Sequence, residues 1–182
     1  MKKMKIAMLT TLLAASPWAF ADLNYTNFGV GYVDGDYNNA DVDGFEIRGS
    51  FALNNNFHLL ASYDALDVDP GGVDLDILAF GGGWHTDIAV NLDFVATAAI
   101  LDVDVGNFST DGIRATGGVR GLLSKEVEFS ADLVYEDIDD IDDDIGYEIG
   151  GRYFVNRDMS LGVTLRDVND IDTLRLDIRF DY

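Results

Sequence analysis

The chain has 182 residues, with 33 acidic side chains against 12 basic ones and a formal charge of −21. That balance excludes electrostatic capture of nucleic acid, which needs a basic face. The absence of cysteine excludes a disulfide framework and thiolate chemistry. Strong acidity can signal disorder, but 48% hydrophobic residues, many of them aromatic, argue for a folded chain.

The chain opens on an address. Lys2, Lys3 and Lys5 precede an uncharged apolar stretch over 6–16, and Ala19-Phe20-Ala21 supplies the small–x–small pattern of a signal-peptidase site. The stretch is too short for a spanning helix. With no cysteine after it, lipid anchoring is excluded. Residues 1–21 are therefore expected to be a cleaved signal peptide, leaving one exported domain over 22–182.

Downstream the dominant pattern is period two, the period of a strand. Ten segments carry it, near 24–33, 44–53, 57–66, 75–85, 90–101, 112–122, 126–136, 145–154, 159–167 and 172–182. The second places Phe45, Ile47, Gly49, Phe51 and Leu53 on one face, with Glu46, Arg48, Ser50 and Ala52 on the other. The tenth places Leu174, Leu176, Ile178, Phe180 and Tyr182 against Thr173, Arg175, Asp177, Arg179 and Asp181. Each segment has the length a tilted strand needs to cross a bilayer. The first and fourth alternate least cleanly, so eight strands stand as the second count.

Connections alternate in kind. Tight turns are expected at Asn54 to Asn56, His85 to Ala89, Leu123 to Lys125 and Val155 to Asp158. Longer aspartate-rich loops are expected at Asp34 to Asp43, Asp67 to Asp74, Asp102 to Asp111 and Asp137 to Asp144, with a short fifth link at Val168 to Asp170. Asp41/Asp43, Asp67/Asp69 and Asp102/Asp104 form a loose Asp-x-Asp echo. Short turns at one rim and longer loops at the other make a closed antiparallel up-and-down barrel, all β, with both termini at the short-turn end.

Volume decides which face looks out. About five apolar residues per strand, many aromatic, would overfill so narrow an interior. Facing outward they make a lipid-facing band. Aromatics near both ends fit two interfacial belts: Phe51, Phe57, Trp84, Phe129, Tyr153 and Phe180 at one end, Tyr32, Phe45, Tyr63, Tyr135 and Tyr147 at the other. Arg48, Arg114, Arg120, Arg152, Arg166, Arg175 and Arg179 share the opposite face. An arginine in lipid costs about 2–4 kcal/mol at the midplane, so that face is expected to line the lumen. Glu46, Asp93, Glu128, Asp132, Glu148 and Asp177 fall on it too, as partners for the arginines.

The mature part resembles the small outer-membrane barrels of the OmpA-transmembrane and OmpX class, and more closely small proteobacterial barrels with ten strands and acidic loops. The resemblance rests on Phe28-Gly-Val-Gly-Tyr32, on 56–63, on Phe80-Gly-Gly-Gly-Trp84 and on the closing 174–182. It implies the bacterial outer membrane as location, lipid and lipopolysaccharide as surroundings, and the barrel-assembly machinery as a partner in biogenesis. Leu176, Ile178, Phe180 and Tyr182 are the expected assembly signal, although the class usually ends in phenylalanine. It implies no catalytic residues.

Two catalytic constellations are found on barrels of this architecture. Lipid A deacylases on this architecture use a His-x-Ser pair, which neither His58 nor His85 supplies. Omptin-type proteases carry a rim histidine that is missing here. His58 is expected low in the lumen and His85 in a turn. The run from Glu136 to Asp144 suits hard cations, with Asp139, Asp140, Asp142, Asp143 and Asp144 as weak candidate ligands, but no EF-hand spacing is present. Diffuse Ca²⁺ or Mg²⁺ binding at the acidic loops is the softer alternative, and no cofactor is expected. Three readings follow: a structural or surface-interaction barrel plugged by Arg–carboxylate pairs, a narrow porin-like diffusion channel, and, least favoured, an outer-membrane enzyme.

Overall fold

Alternation of the kind seen in Phe45–Leu53 leaves each strand with one apolar and one polar face, and closure into a barrel separates the two without exposing an edge. The computed structural model describes residues 23–37, 40–139, 143–169 and 171–182. The expected signal peptide, residues 1–21, lies outside them. Among the described residues ten strands form: β1 (Asn27–Tyr37), β2 (Ala40–Ala52), β3 (Phe57–Asp69), β4 (Val73–Ala89), β5 (Leu92–Val105), β6 (Phe108–Leu122), β7 (Val127–Ile138), β8 (Asp144–Phe154), β9 (Met159–Val168) and β10 (Ile171–Asp181). Each pairs antiparallel with the next, and β1 pairs with β10 from Asn27↔Asp181 to Tyr37↔Ile171, closing the barrel. The count is ten, not eight.

The turns at the termini end share one solution. Leu53, Leu123 and Val155 each donate a backbone N–H to the carbonyl of the residue four positions on, closing four-residue connections. Asn54 Oδ1 accepts from the backbone of Asn56 and Phe57, and Asn156 Oδ1 from Asp158, the local bonding that favours asparagine in turns. The fourth turn departs from expectation. β4 continues through His85 to Ala89, so the reversal falls at Val90-Asn91, with Asn91 at φ 60° and a register irregularity at Asp87/Ala89.

The acidic end requires a larger correction. Three of the four long loops are mostly strand, and the fourth gives up both its ends to strand: β1 runs on to Tyr37, β3 to Asp69, β5 to Val105 and β7 to Ile138, and their partners begin at Ala40, Val73, Phe108 and Asp144. Asp-x-Asp is itself period two, and the ladder continues through it, pairing Asp34↔Asp43, Asp43↔Asp67 and Asp67↔Asp74. The first strand is shifted likewise, starting at Asn27 and not at residue 24.

Glycine sets the curvature. A Cβ on Gly44 would stand 2.0 Å from the carbonyl oxygen of Ala65 on β3, so the two backbones approach there as only glycine permits.

Outward positions near mid-barrel are apolar and exposed: Phe45, Ile47, Ile100, Leu133, Ile149 and Leu165 among them. Phe51, Phe57, Trp84, Tyr153 and Phe180 stand outward at the termini end, Tyr32, Phe45, Tyr63 and Tyr147 toward the acidic end, and Phe129 and Tyr135 are partly covered. The outer face then changes character. Beyond Tyr32, Phe45 and Ala65 the outward positions of β1, β2 and β3 are Asp34 and Asp36, Asp43 and Asp41, Asp67 and Asp69. The inward ones include Val33, Val42 and Leu66, all buried.

Candidate functional site

Inward positions at mid-barrel build a charged network in which three glutamates each hold at least two arginines. Glu128 on β7 accepts both guanidinium ends of Arg179 at 3.0 Å and Nη2 of Arg120 at 2.9 Å. Glu46 on β2 accepts Nε and Nη2 of Arg48 at 2.9 and 2.7 Å, and faces Nη1 of Arg175 at 3.1 Å. Glu136, also on β7, is bridged by Arg114 and Arg166 and accepts Nδ2 of Asn169 at 2.9 Å. Arg152 reaches Asp177 at 2.7 Å, and Arg175 also reaches Glu148 at 3.1 Å. Buried charges survive only when paired in this way, and removing one partner of such a pair costs about 3–5 kcal/mol.

Two of the sequence-expected residues sit elsewhere in the scheme. Asp93 is buried but accepts the hydroxyl of Tyr25 at 2.7 Å and meets no arginine among the ion pairs above. Asp132 lies opposite Glu148 across the β7–β8 pair and joins none of them. Glu136 opens the acidic run to Asp144 in the sequence, yet it belongs to the lumen network. Its spacing of four from Asp132 and eight from Glu128 carried the inward parity, but the aspartate run after it hid the signal. Asp181, 3.1 Å from Arg179, sits on the same face.

The termini end is stoppered from below. Residues 23–26 precede β1, and there Tyr25 is buried. Its ring stacks on His85 with centroids 3.5 Å apart and on His58 at 5.0 Å, and the Arg120 guanidinium lies 4.8 Å from its centroid. Burial pushes the Tyr25 phenol above its ordinary pKa, against the pull of Arg120 and helped by the hydrogen bond to Asp93. Asn24 and Thr26 pin the segment: the Asn24 carbonyl accepts from Arg120 at 2.9 Å, and Thr26 Oγ1 accepts the Ala52 N–H at 3.1 Å. His85 is therefore an inward, buried strand residue, not a turn residue, with Nδ1 3.2 Å from Nδ1 of His58. Gly83 opposite His58 makes this possible, because a Cβ there would stand 2.2 Å from the His58 ring.

Between stopper and Glu136 lies a polar cavity of about 320 Å³. At the acidic end lies a second cavity, of about 370 Å³, walled by aliphatic side chains including Val42, Leu66, Leu75, Val103, Ile138 and Val168. Val42, Val103, Ile138 and Val168 fall in the segments expected as loops, so nothing in the alternation pattern announces this cavity.

Of the weak metal candidates, Asp140 and Asp142 lie outside the described residues. Asp144 accepts the Asn169 backbone N–H at 2.7 Å, and among the described residues no three potential ligands gather. Leu176, Ile178, Phe180 and Tyr182 face outward along β10, and the Tyr182 N–H meets the Thr26 carbonyl at 3.1 Å.

The chain matches no protein-family model and no curated protein. Solved structures of similar arrangement include a KdgM porin, 12% identical with a TM-score of 0.48, covering 86% of this chain and 99% of that one. The N-terminal β-barrel domain of Pseudomonas aeruginosa OprF is 13% identical at 0.47, covering 88% and 100%. Neisserial surface protein A is 12% identical at 0.44, covering 86% and 96%. At these values the likeness is one of barrel architecture, and function has to be argued from this chain's own residues.

Proposed function

We propose that the protein is an outer-membrane barrel closed to diffusion, with a structural or surface-interaction role. The observation that carries this is the inward network itself: seven arginines tied to carboxylates across the lumen, above a stopper of Tyr25, His58 and His85. A channel selective for anions would present basic groups without such partners. The outward band from Phe45 to Leu133 meets lipid, with the termini in the periplasm and the acidic end outside the cell. There the outward aspartates face lipopolysaccharide and its divalent cations. The barrel-assembly machinery inserts the chain through the apolar face of β10. No catalytic centre belongs to this reading.

Conductance of the folded protein in a planar bilayer tests it. A silent bilayer with insertion shown is the expected result, and Tyr25→Ala is expected to remain silent because the arginine network lies above. Steady unitary steps in the wild type would replace this reading with the diffusion channel.

A further inference from the structure

The lumen of a membrane barrel is normally polar throughout, yet the upper interior here is aliphatic. Val42 and Val103 are 1% and 3% exposed, and Leu66 and Ile138 are also buried. These walls do not close on one another. They enclose about 370 Å³, within the range of small-molecule sites and more than twice an apolar cavity known to stay dry and take up apolar guests. Packed interiors seldom leave such a void unfilled.

The floor of this cup carries a second, independent feature. Arg175 lines both the cup and the polar cavity beneath it, and is 8% exposed. Its two terminal nitrogens are engaged by Glu46 and Glu148, but its Nε–H meets no acceptor among the described residues. A buried donor without a partner is costly and needs one. Asp64, Glu136 and Arg166 stand at the same level, so the floor already balances its charges. A carboxylate entering there would bring an uncompensated negative charge against aliphatic walls.

We infer that the cup is a binding site for a small uncharged amphiphile, its hydrocarbon body against Val42, Leu66, Val103 and Ile138 and one hydrogen-bond acceptor turned down to the Arg175 side of the floor. The class is a medium-chain alcohol, ketone or ester. At about 30 Å³ per heavy atom, the cup holds roughly a dozen such atoms. This goes beyond the closed-barrel reading, since the aliphatic walls lie above the arginine network whether or not that network conducts.

The test uses protein refolded into phosphatidylcholine vesicles and a ten-carbon alcohol carrying a mid-chain diazirine. After irradiation, peptide mass spectrometry is expected to find adducts on Val42, Leu66, Val103 or Ile138, displaced by excess 1-decanol. The matching ten-carbon carboxylic acid should label these positions at least tenfold less. Val103→Trp, which fills the cup, should lower the inward adducts at least fivefold while heat-modifiable mobility on gels stays that of the folded barrel. Leu66→Phe serves if that variant does not fold. Adducts confined to outward residues such as Phe45 and Leu133, or inward adducts unchanged by filling, would overturn the inference. If the same preparation is silent in a planar bilayer, that failure leaves the closed-barrel reading intact. Steady conductance with inward adducts would overturn the reading and keep the site.

Discussion

The two halves of the barrel are built on the same strands with opposite polarity. Along β2, Ile47 and Phe45 point outward and Arg48 and Glu46 inward; two residues on, Asp43 and Asp41 point outward and Val42 inward. β5 does the same, passing from outward Ile100 to outward Asp102 and Asp104, with Leu101 and Val103 buried inside. Backbone geometry is unchanged across the boundary, and the Tyr32 and Tyr63 hydroxyls even bridge it, donating to Asp43 and Asp76. The pleat specifies only that neighbours face opposite ways. Whether the polar set goes in or out depends on what surrounds each height, and the membrane reading proposed above puts lipid around the lower half and water around the upper.

The comparison breaks most readily at the lower network. Glu128→Ala removes the carboxylate that Arg120 and Arg179 share, leaving Arg120 only the Asn24 carbonyl and Arg179 only Asp181 as acceptors among the described residues, and should lower stability by about 3–5 kcal/mol in urea unfolding. A loss under 1 kcal/mol would show that the lower lumen is as solvated as the outside. Next in size, Leu133→Arg places a charge on the outward face of the lower half and should cost about 2–4 kcal/mol. If it costs nothing, that face does not meet lipid. In the upper half the hydrophobic contribution belongs inside. Val42→Ala removes two buried methyl-sized groups and should cost about 1.5 kcal/mol in the same unfolding measurement.

The smallest effect concerns the aspartates. Asp167, Asp172, Asp36, Asp41 and Asp69 are successive cross-strand neighbours on β9, β10, β1, β2 and β3. Like charges placed opposite one another repel. Asp41→Asn should therefore raise stability by about 0.5 kcal/mol in a chelator, and the gain should shrink when magnesium is restored. A loss of stability in both buffers would assign Asp41 a structural partner that the ladder does not show.

Ten strands and the inward parity of the arginines were legible in the sequence, because a two-residue period survives any choice of partner. Strand ends at the acidic rim were not. Aspartate disfavours strands as an isolated residue, and the signal that overrode this, Asp alternating with Val, Leu or Ile, reads equally as a charged loop. His85 was misplaced because its strand outlasts the turn that composition suggested, and Tyr25 because nothing local says a residue ahead of β1 will lie against His85.

Alternation, charge and length thus determined by themselves that this chain forms paired strands with one charged and one apolar face, since those depend on each residue and its near neighbours. Only tertiary structure decided which glutamate holds which arginines, that Tyr25 stoppers the base, and that the upper half turns its valines inward around a cavity. Those outcomes depend on closure. Until β1 pairs with β10 there is no inside, and residues as distant as Glu46 and Arg175 have no shared space in which to meet.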